Sequence, residues 1–341
     1  MSQSPFSRRR SLLFGLAMLA ALGFGSLGGA AQAAKGGSGV SRIRLGSSAD
    51  VSPALAGPSY FLQGNGAPLA SAFQFHVNQI AAAPLDVVVL AASFGSAPTP
   101  ECDALIVLSN VNSCETITIT KAADANDSGA AASVANAEIV YFAGGDQCNY
   151  VGWSGSSVHA AAKAVVARGG GIGGGSAGLA IQGQFVYDAC EGSVTSAEAL
   201  ANPYRRSITF TSGYFAWAPL AGVITDSHFS QRDRMGRLMT FVARQIQDGR
   251  ASSAYGLGLD ENAVMLVDKN GLGTVYGGTA YVVLGDHAPE LCASKQALTY
   301  ANFKLWKLAA GATYNFSSRP ASGYYQRSVA NGVISADPYT P

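Results

Sequence analysis

The chain has 341 residues, of which 13% are charged, 48% are hydrophobic and 41 are glycine. Its 22 basic and 21 acidic residues give a net charge of +1. This balance excludes a disordered chain, which combines low hydrophobicity with high net charge, and a nucleic-acid binder that depends on a basic excess. We therefore expect a globular protein with no nucleic-acid partner.

Residues 1–33 have the features of an export signal. Three arginines, Arg8 to Arg10, precede an apolar stretch, and Ala31-Gln32-Ala33 is a small-x-small cleavage site. The paired arginines indicate the twin-arginine route, although Ser11 stands where that signal usually has Phe. Cleavage would remove three arginines and no acidic residue, which takes the net charge from +1 to −2. We expect an exported protein, periplasmic or extracellular, with no membrane attachment after cleavage. A retained membrane anchor is the alternative.

The remaining chain divides into a lead-in and one domain. Residues 34–57 are rich in Gly, Ser and Ala and are predicted to be irregular, and residues 58–341 are predicted to form a single domain. Within it, buried apolar strands alternate with helices up to residue 248, and short strands separated by glycines follow. The predicted helices are 70–81, a helix ending at 134–137, 156–168 and 231–248. The predicted strands are 60–63, 86–92, 104–108, 116–120, 138–143, 223–226, 254–259, 263–267, 274–276, 280–284, 303–308 and 314–316.

This alternation predicts an α/β fold. Strands that alternate with helices form a mostly parallel sheet covered by helices on both faces. The short C-terminal strands are expected to add antiparallel strands to the same body. Residues 170–175, which are almost all glycine, must connect the helix at 156–168 to the next element.

Five cysteines leave at least one thiol unpaired. Cys102 and Cys114 bracket a short segment and can pair, whereas Cys148 is interpreted as a bystander or half of a disulfide. The spacing of the cysteines and of the four dispersed histidines indicates no metal site. No cofactor is expected.

A first chemical motif is Gly174-Gly175-Ser176-Ala177-Gly178. The pattern G-x-S-x-G is typical of a sharp strand-to-helix turn that presents a nucleophilic serine. The N–H of the residue after the serine, Ala177, then faces the developing oxyanion. A flexible glycine turn or a phosphate-binding loop are the alternatives, but no Lys-Ser/Thr follows, which excludes a Walker loop.

The segment Phe142-Ala143-Gly144-Gly145-Asp146-Gln147 directly follows a predicted strand. Glycines at the carboxyl end of a strand let backbone amides face the crevice where α/β sheets bind ligands. Gly145 or its neighbour is the candidate for a second oxyanion donor, and Gln147 for a substrate contact. An ordinary helix cap by Asp146 is the alternative.

The segment from Asp226 to Arg237 contains His228 and three arginines. Arginine holds carboxylates through a planar, two-pronged fork, and Arg234 and Arg237 lie three apart on one face of the predicted helix. Positive charge in the first turns of a helix opposes the helix dipole, which favours a functional interpretation over a solvated face. The third arginine is Arg232.

An acidic pair, Asp260-Glu261, lies between two predicted strands. One of these carboxylates is a candidate for orienting His228 as the third member of a catalytic triad. A pair of turn residues is the alternative.

Taken together, these four segments resemble the S51 serine peptidases, which include cyanophycinase and aspartyl dipeptidase. The patterns in chain order are F-x-G-G-D-Q, G-x-S-A-G, D-x-H-F-x-Q-R-x-R-x-G-R-L and G-x-G-x-D-E-x-A. The resemblance covers residues 60–308. It implies a flavodoxin-like fold similar to class I glutamine amidotransferases, a Ser176-His228-Glu261 triad and a homodimer. It also implies a substrate pocket formed by Gln147, Asp226, Arg232, Arg234 and Arg237.

The chain departs from the family pattern at three places. Gly175 stands where the family commonly has Thr, and Gly64-Asn65-Gly66 replaces a glycine triplet. Ser227 stands where cyanophycinase has Gln, at a position that lines its pocket, so this change bears on polymer specificity.

The resemblance predicts an exported serine-type exopeptidase that hydrolyses cyanophycin, a poly-aspartate carrying arginine, to β-Asp-Arg dipeptides. The expected partner is therefore a peptide or polymer rich in aspartate and arginine. Asp226 and Gln147 are expected to face the substrate's arginine. Two alternatives stay open, a dipeptidase for Asp-X or isoaspartyl peptides and a catalytically idle carboxylate-binding relative.

Overall fold

The computed structural model describes residues 32–35, 39–93 and 99–341. The predicted export signal lies almost wholly outside these residues. In chain order, the strands are β1 (Gln32–Lys35), β2 (Val40–Gly46), β3 (Ser59–Gln63), β4 (Leu85–Ala91), β5 (Val111–Ile119), β6 (Ile139–Phe142), β7 (Gly171–Gly175), β8 (Phe185–Tyr187), β9 (Phe210–Ser212), β10 (Val223–Asp226), β11 (Ala254–Leu259), β12 (Val264–Val267), β13 (Leu272–Tyr276), β14 (Thr279–Gly285), β15 (Tyr300–Ala309), β16 (Thr313–Asn315), β17 (Tyr325–Ala330) and β18 (Val333–Ile334).

The helices lie mainly between the strands of the first half of the chain. They are α1 (Ala70–Ile80), α2 (Pro100–Leu105), α3 (Ser128–Asn136), α4 (Gln147–Val151), α5 (Ser157–Ala167), α6 (Ala177–Ala180), α7 (Ser196–Ala201) and α8 (Met235–Gln247). Short 3₁₀ turns cover Ala122–Asn126, Ala218–Leu220 and Ser230–Arg232.

The described strands form two sheets. The first has the order β1-β2-β5-β4-β6-β7-β3-β12-β13-β16, and its central strands β5, β4, β6, β7 and β3 are parallel. The second has the order β18-β17-β15-β14-β11-β10-β8-β9, with β10 parallel to β8 and β11. The predicted α/β class, mostly parallel with added antiparallel strands, is confirmed.

The C-terminal strands are divided between the sheets. β12, β13 and β16 extend the first sheet beyond β3, whereas β11, β14, β15, β17 and β18 belong to the second. The largest hydrophobic cluster contains Val140 and Ile172 from the first sheet and Leu257 and Val282 from the second, all at most 1% exposed. Packing of apolar faces therefore holds the two sheets together.

The predicted lead-in and one predicted strand differ from the structure. The lead-in at 34–57 contains β2, which pairs antiparallel with β5. The strand predicted at 104–108 is wrong because helix α2 ends at Leu105. Pro100 at the first helical position and acidic residues in the first turn favour a helix start there, and Cys102 and Leu105 are buried three residues apart on one face.

Candidate active site

Ser176 lies at the turn between β7 and the short helix α6. Its backbone has φ 53° and ψ −111°, a strained conformation that residues other than glycine rarely adopt. Such strain is found where a strand-to-helix turn exposes a nucleophile at the edge of the sheet. The predicted turn is therefore present in the structure.

The glycines on either side of Ser176 permit close backbone contacts. A Cβ atom at Gly175 would lie 1.9 Å from the Asn65 carbonyl oxygen, and one at Gly178 would lie 2.0 Å from the Phe142 carbonyl oxygen. The Thr that the family commonly has at position 175 would clash with the 64–66 loop as this chain folds it.

His228 and Glu261 complete a chain of hydrogen bonds with Ser176. The Ser176 Oγ atom lies 2.8 Å from Nε2 of His228, and Nδ1 of His228 lies 2.7 Å from Oε1 of Glu261. Donation from Nδ1–H to the carboxylate leaves Nε2 free to accept the serine proton, an assignment inferred from the hydrogen-bond partners. The three predicted residues are therefore close enough for nucleophilic catalysis.

Each of the three side chains comes from a different connection in the fold. Ser176 follows β7 of the first sheet, and His228 follows β10 of the second. Glu261 lies in the crossing from β11 to β12, which belong to different sheets. The site thus depends on how the two sheets are docked.

The backbone around His228 and Glu261 is held by nearby loops. His228 has φ 45°, and its N–H donates to the Gly64 carbonyl oxygen at 3.1 Å. The Gln231 side-chain oxygen accepts the Glu261 N–H at 3.0 Å. The other carboxylate of the acidic pair, Asp260, instead accepts the N–H of Ser230 at 2.9 Å.

Burial lowers the pKa of His228 below its ordinary value of 6.5. The hydrogen bond to Glu261 opposes this shift, whereas the charges of Arg232 and Arg234 add to it. The imidazole is therefore neutral at pH 7, the state required to accept a proton from Ser176.

The candidate oxyanion donors, Ala177 and Gly145, both line the same cleft as Ser176. Ala177 is the first residue of α6, so its N–H has no acceptor within the helix. Gly145 has φ 142°, a left-handed conformation that favours glycine. The helix itself has only four residues.

The cleft has a volume of about 280 Å³. It lies at the carboxyl ends of strands from both sheets, the usual place for ligands in α/β folds. All the predicted substrate-binding residues are in its lining: Gln147, Asp226, Ser227, Arg232, Arg234 and Arg237.

Asp226 and Arg237 form a buried, two-pronged ion pair. Nε and Nη2 of Arg237 donate to the two Asp226 oxygens at 2.7 and 2.6 Å, and Nη1 donates to the Val194 carbonyl oxygen at 3.2 Å. Burial disfavours the charge of Arg237, but Asp226 outweighs this and raises its pKa. Both side chains are thus already paired within the protein.

Arg234 and Arg232 are differently placed. Nη1 of Arg234 lies 3.3 Å from Asp226 Oδ1 and donates to the Ser227 carbonyl oxygen at 2.9 Å. Burial lowers the pKa of Arg234 to about 10, so its guanidinium group is charged at pH 7. Arg232 is exposed and pairs with no carboxylate in the described part of the chain. These two guanidinium groups carry the positive charge available to a ligand.

The predicted helix at 231–248 begins later than expected. Asp233 has φ 46° and ends the 3₁₀ turn, and α8 starts at Met235. Arg232 and Arg234 therefore precede the helix, and the argument from an opposing helix dipole applies only to Arg237. Asp226 neutralises that charge.

Sequence reasoning missed the loop between β8 and α7. Tyr187, Ala189, Gly192 and Ser193 line the cleft, and Gln147 donates to the Tyr187 carbonyl oxygen at 3.2 Å. This loop has no catalytic motif. The one signal within it was Cys190.

The cysteines form two disulfides, Cys102–Cys114 and Cys148–Cys190, and Cys292 is buried and unpaired. The first pairing agrees with the sequence interpretation. The second shows that Cys148 is half of a disulfide and not a bystander.

Across the described ranges, no group of three or more His, Cys, Asp or Glu side chains is arranged to hold a metal ion. Of the helices assigned there, none has the length and apolarity to cross a bilayer.

Neither a family model nor a curated protein matches this chain. Among solved structures, a peptidase from an acI-B1 Actinobacterium aligns with a TM-score of 0.52 and 14% identity, over 77% of this chain and 98% of that one. A candidate peptidase E protein from Listeria monocytogenes aligns with a TM-score of 0.44 and 12% identity, over 65% and 99%. The chain therefore shares the α/β fold of the actinobacterial peptidase over most of its length.

Proposed function

We propose that this protein is an exported serine-type peptidase, with cyanophycin as its leading substrate. The observation that carries the proposal is the hydrogen-bonded series Ser176, His228 and Glu261 at a cleft with two further cations. Arg232 pairs with no described carboxylate, and Arg234 shares Asp226 with Arg237. The fold shared with a peptidase supports the same reaction class.

The proposed reaction begins with attack of Ser176 Oγ on the substrate amide carbon. His228 takes the serine proton at Nε2 and then gives it to the leaving amine, while Glu261 stabilises the imidazolium. The N–H groups of Ala177 and Gly145 bind the oxyanion, each contributing about 3–4 kcal/mol of transition-state stabilisation. Water, activated by the same histidine, then hydrolyses the acyl-enzyme.

Arg232 and Arg234 are the proposed carboxylate-binding groups. In cyanophycin, the carboxylate is the free α-carboxylate at the end of the poly-aspartate chain, and β-Asp-Arg is the product. Because Arg237 occupies both oxygens of Asp226, we assign these two residues to positioning Arg234 and Ser227. Gln147 is left as the candidate contact for the substrate's arginine.

A dipeptidase for Asp-X or isoaspartyl peptides is the second candidate. It is favoured by the pairing of Arg237 with Asp226, which leaves two available cations where the sequence suggested three. Ser227, in place of the Gln of cyanophycinase, also favours it. An idle carboxylate-binding relative is the third.

One set of assays separates the three candidates. The protein lacking residues 1–33 is incubated with cyanophycin and with an α-aspartyl dipeptide. We expect Ser176→Ala to lower kcat at least about 10³-fold and Glu261→Gln to lower it about 10²- to 10⁴-fold. The matched control is Glu290→Gln, which alters an exposed His–Glu pair at His287 and should retain full activity.

Full activity of Ser176→Ala would contradict the serine mechanism. Hydrolysis of the dipeptide but not the polymer would favour the dipeptidase. Binding of either substrate without turnover by the unsubstituted protein would favour the idle relative.

A further inference from the structure

The Cys148–Cys190 disulfide joins two segments that line the cleft. Cys148 follows Gln147 in α4, whose preceding loop supplies Gly145. Cys190 follows Ala189 in the loop after β8. The bond therefore ties the loop that carries a candidate oxyanion donor to the loop that sequence reasoning missed.

The 188–194 loop is fixed at both ends without the disulfide. At its start, the buried carboxylate of Asp188 accepts hydrogen bonds from Thr209 and, at 2.9 Å, from Thr211. At its end, the Val194 carbonyl oxygen accepts from Arg237 at 3.2 Å. The first contacts lie beside the second sheet, and the last involves the arginine of the Asp226–Arg237 ion pair.

The tip of this loop, residues 190–193, has few other supports. All four residues are exposed. The Tyr187 hydroxyl donates to the Gly192 carbonyl oxygen at 3.0 Å, and Glu191 forms a surface ion pair with Arg206, whose side chain is 89% exposed. Exposed ion pairs contribute little to stability. Within the loop, the Gly192 N–H donates to the Ala189 carbonyl oxygen at 2.9 Å and the Cys190 N–H to Asp188 Oδ1 at 3.2 Å. None of the described hydrogen bonds joins the tip to the 145–148 segment, so the disulfide is what ties these two parts together.

We propose that the Cys148–Cys190 disulfide is a positioning element that holds the 188–194 loop against the 145–148 segment at the separation needed to bind substrate. The inference rests on the proposed peptidase function. Loss of the bond lets the tip move away, and ordering it again on binding costs affinity. The hydrogen bonds among Ser176, His228 and Glu261 involve neither cysteine, so the chemical step is retained.

The second disulfide supplies a matched control. Cys102 and Cys114 are completely buried, join α2 to β5 and lie outside the cleft lining. Steady-state kinetics on the peptide or polymer that the protein hydrolyses are compared between Cys148→Ala/Cys190→Ala and Cys102→Ala/Cys114→Ala. We expect about a fivefold to tenfold rise in KM, with kcat within about twofold, for the first pair alone.

Reduction of the unsubstituted protein tests the same point without a substitution. Dithiothreitol donates two electrons and two protons to Cys148–Cys190, which becomes two thiols, and is itself oxidised to its cyclic disulfide. Because Cys190 is exposed and the other disulfide is buried, mild treatment should reduce the cleft disulfide first, as thiol alkylation and mass spectrometry would verify. KM should rise on reduction and return on reoxidation.

Two measurements keep this inference separate from the peptidase proposal. Hydrogen exchange should become faster in the peptide covering 188–194 when the bond is lost, and labelling of Ser176 by a small fluorophosphonate should be unchanged. If the intact protein hydrolyses neither substrate, the proposed function fails while exchange still reports on the loop. Unchanged KM and unchanged exchange after loss of the cleft disulfide, or equal changes for both disulfides, would overturn the positioning role.

Discussion

Ser176 and His228 both have positive φ, at 53° and 45°. Residues other than glycine adopt this region at a cost of about 1–3 kcal/mol each, and such strain is concentrated at functional sites. Ser176 directly follows β7 and His228 lies two residues after β10, so both strained residues lie where parallel strands end at the cleft shared by the two sheets. The strain and the 2.8 Å contact between the side chains support the same site.

The protonation of His228 should govern the acidic side of the pH profile. Since burial and the neighbouring arginines lower its pKa, kcat/KM is expected to fall on acidification only below pH 6.5, where the imidazole becomes charged and no longer accepts the serine proton. Arg232→Gln removes one lowering charge and should move this fall to higher pH. The measurement is kcat/KM against pH.

Arg327→Gln, in β17, is the control because it removes an arginine outside the cleft lining. An acidic limb above pH 6.5, or one that does not move in Arg232→Gln, would argue against this electrostatic account.

At the residue level, the short local patterns G-x-S-x-G and Asp-x-His pointed to Ser176 and His228, and the Asp-Glu pattern left Asp260 and Glu261 open. The family resemblance chose Glu261 between them. The patterns did not reveal that Asp226 is neutralised by Arg237. The two residues are eleven apart, and their pairing depends on where α8 packs against β10. Spacing alone also placed Arg232 and Arg234 on a helix that begins only at Met235.

Strand β7 and helix α6 pack so closely against neighbouring backbone that little room is left for side chains. β7 is glycine except for Ile172, and α6 approaches the backbone of β6 closely at Gly178. Strand propensity does not predict a glycine-rich strand, because glycine is depleted in strands. Its pairing with β3 on one side and β6 on the other makes it a strand.

Gly178→Ala should destabilise the fold because the added methyl group would lie 2.0 Å from the Phe142 carbonyl oxygen. The neighbour is backbone and cannot rotate away, so we expect the free energy of unfolding to fall by about 1–3 kcal/mol. Urea denaturation measures this change. Gly66→Ala is the control, since its nearest neighbour would be 3.5 Å away, and equal stability of the two variants would refute the steric argument.

Helix α2 and the β8–β9 pair are the elements that sequence patterns identified least well. The apolar run near Leu105 is compatible with either a strand or a helix when it is only five residues long. β8 and β9 have three residues each, too few for a periodic signal. Their loop nevertheless supplies part of the cleft.

At the scale of the molecule, the two ends of the first parallel sheet have different roles. The cleft lies at the carboxyl ends of its strands, whereas Glu138 precedes β6 at the other end. Oε2 of Glu138 accepts the Asp86 N–H at 2.8 Å, and Oε1 lies 3.8 Å from Arg168. Burial raises the pKa of Glu138 to about 7.

Glu138 should therefore make stability depend on pH. Between its ordinary pKa of 4.5 and about 7, the folded protein holds a proton that the unfolded chain has lost, so stability falls as pH rises through this window. Glu138→Gln removes this loss and should be more stable than the unsubstituted protein at pH 8, by about 1–2 kcal/mol, with little gain at pH 4.5. Thermal unfolding at both pH values measures the difference.

Glu290→Gln removes one negative charge from an exposed position and is measured beside Glu138→Gln as the control. An equal change for Glu138→Gln at pH 4.5 and pH 8 would show that its burial does not raise the pKa as described.

The sequence by itself predicted the α/β class, the turn at Ser176 and the candidates Ser176 and His228, and it left Asp260 and Glu261 as candidates for the third side chain. Apolar periodicity and tight-turn motifs are properties of neighbouring residues, so they can be read without the fold. Only the tertiary structure decided that the described strands form two sheets, that Cys148 pairs with Cys190, and that Asp226 holds Arg237 in a two-pronged ion pair. Each of these depends on packing and register between segments far apart in the chain, which no local pattern specifies.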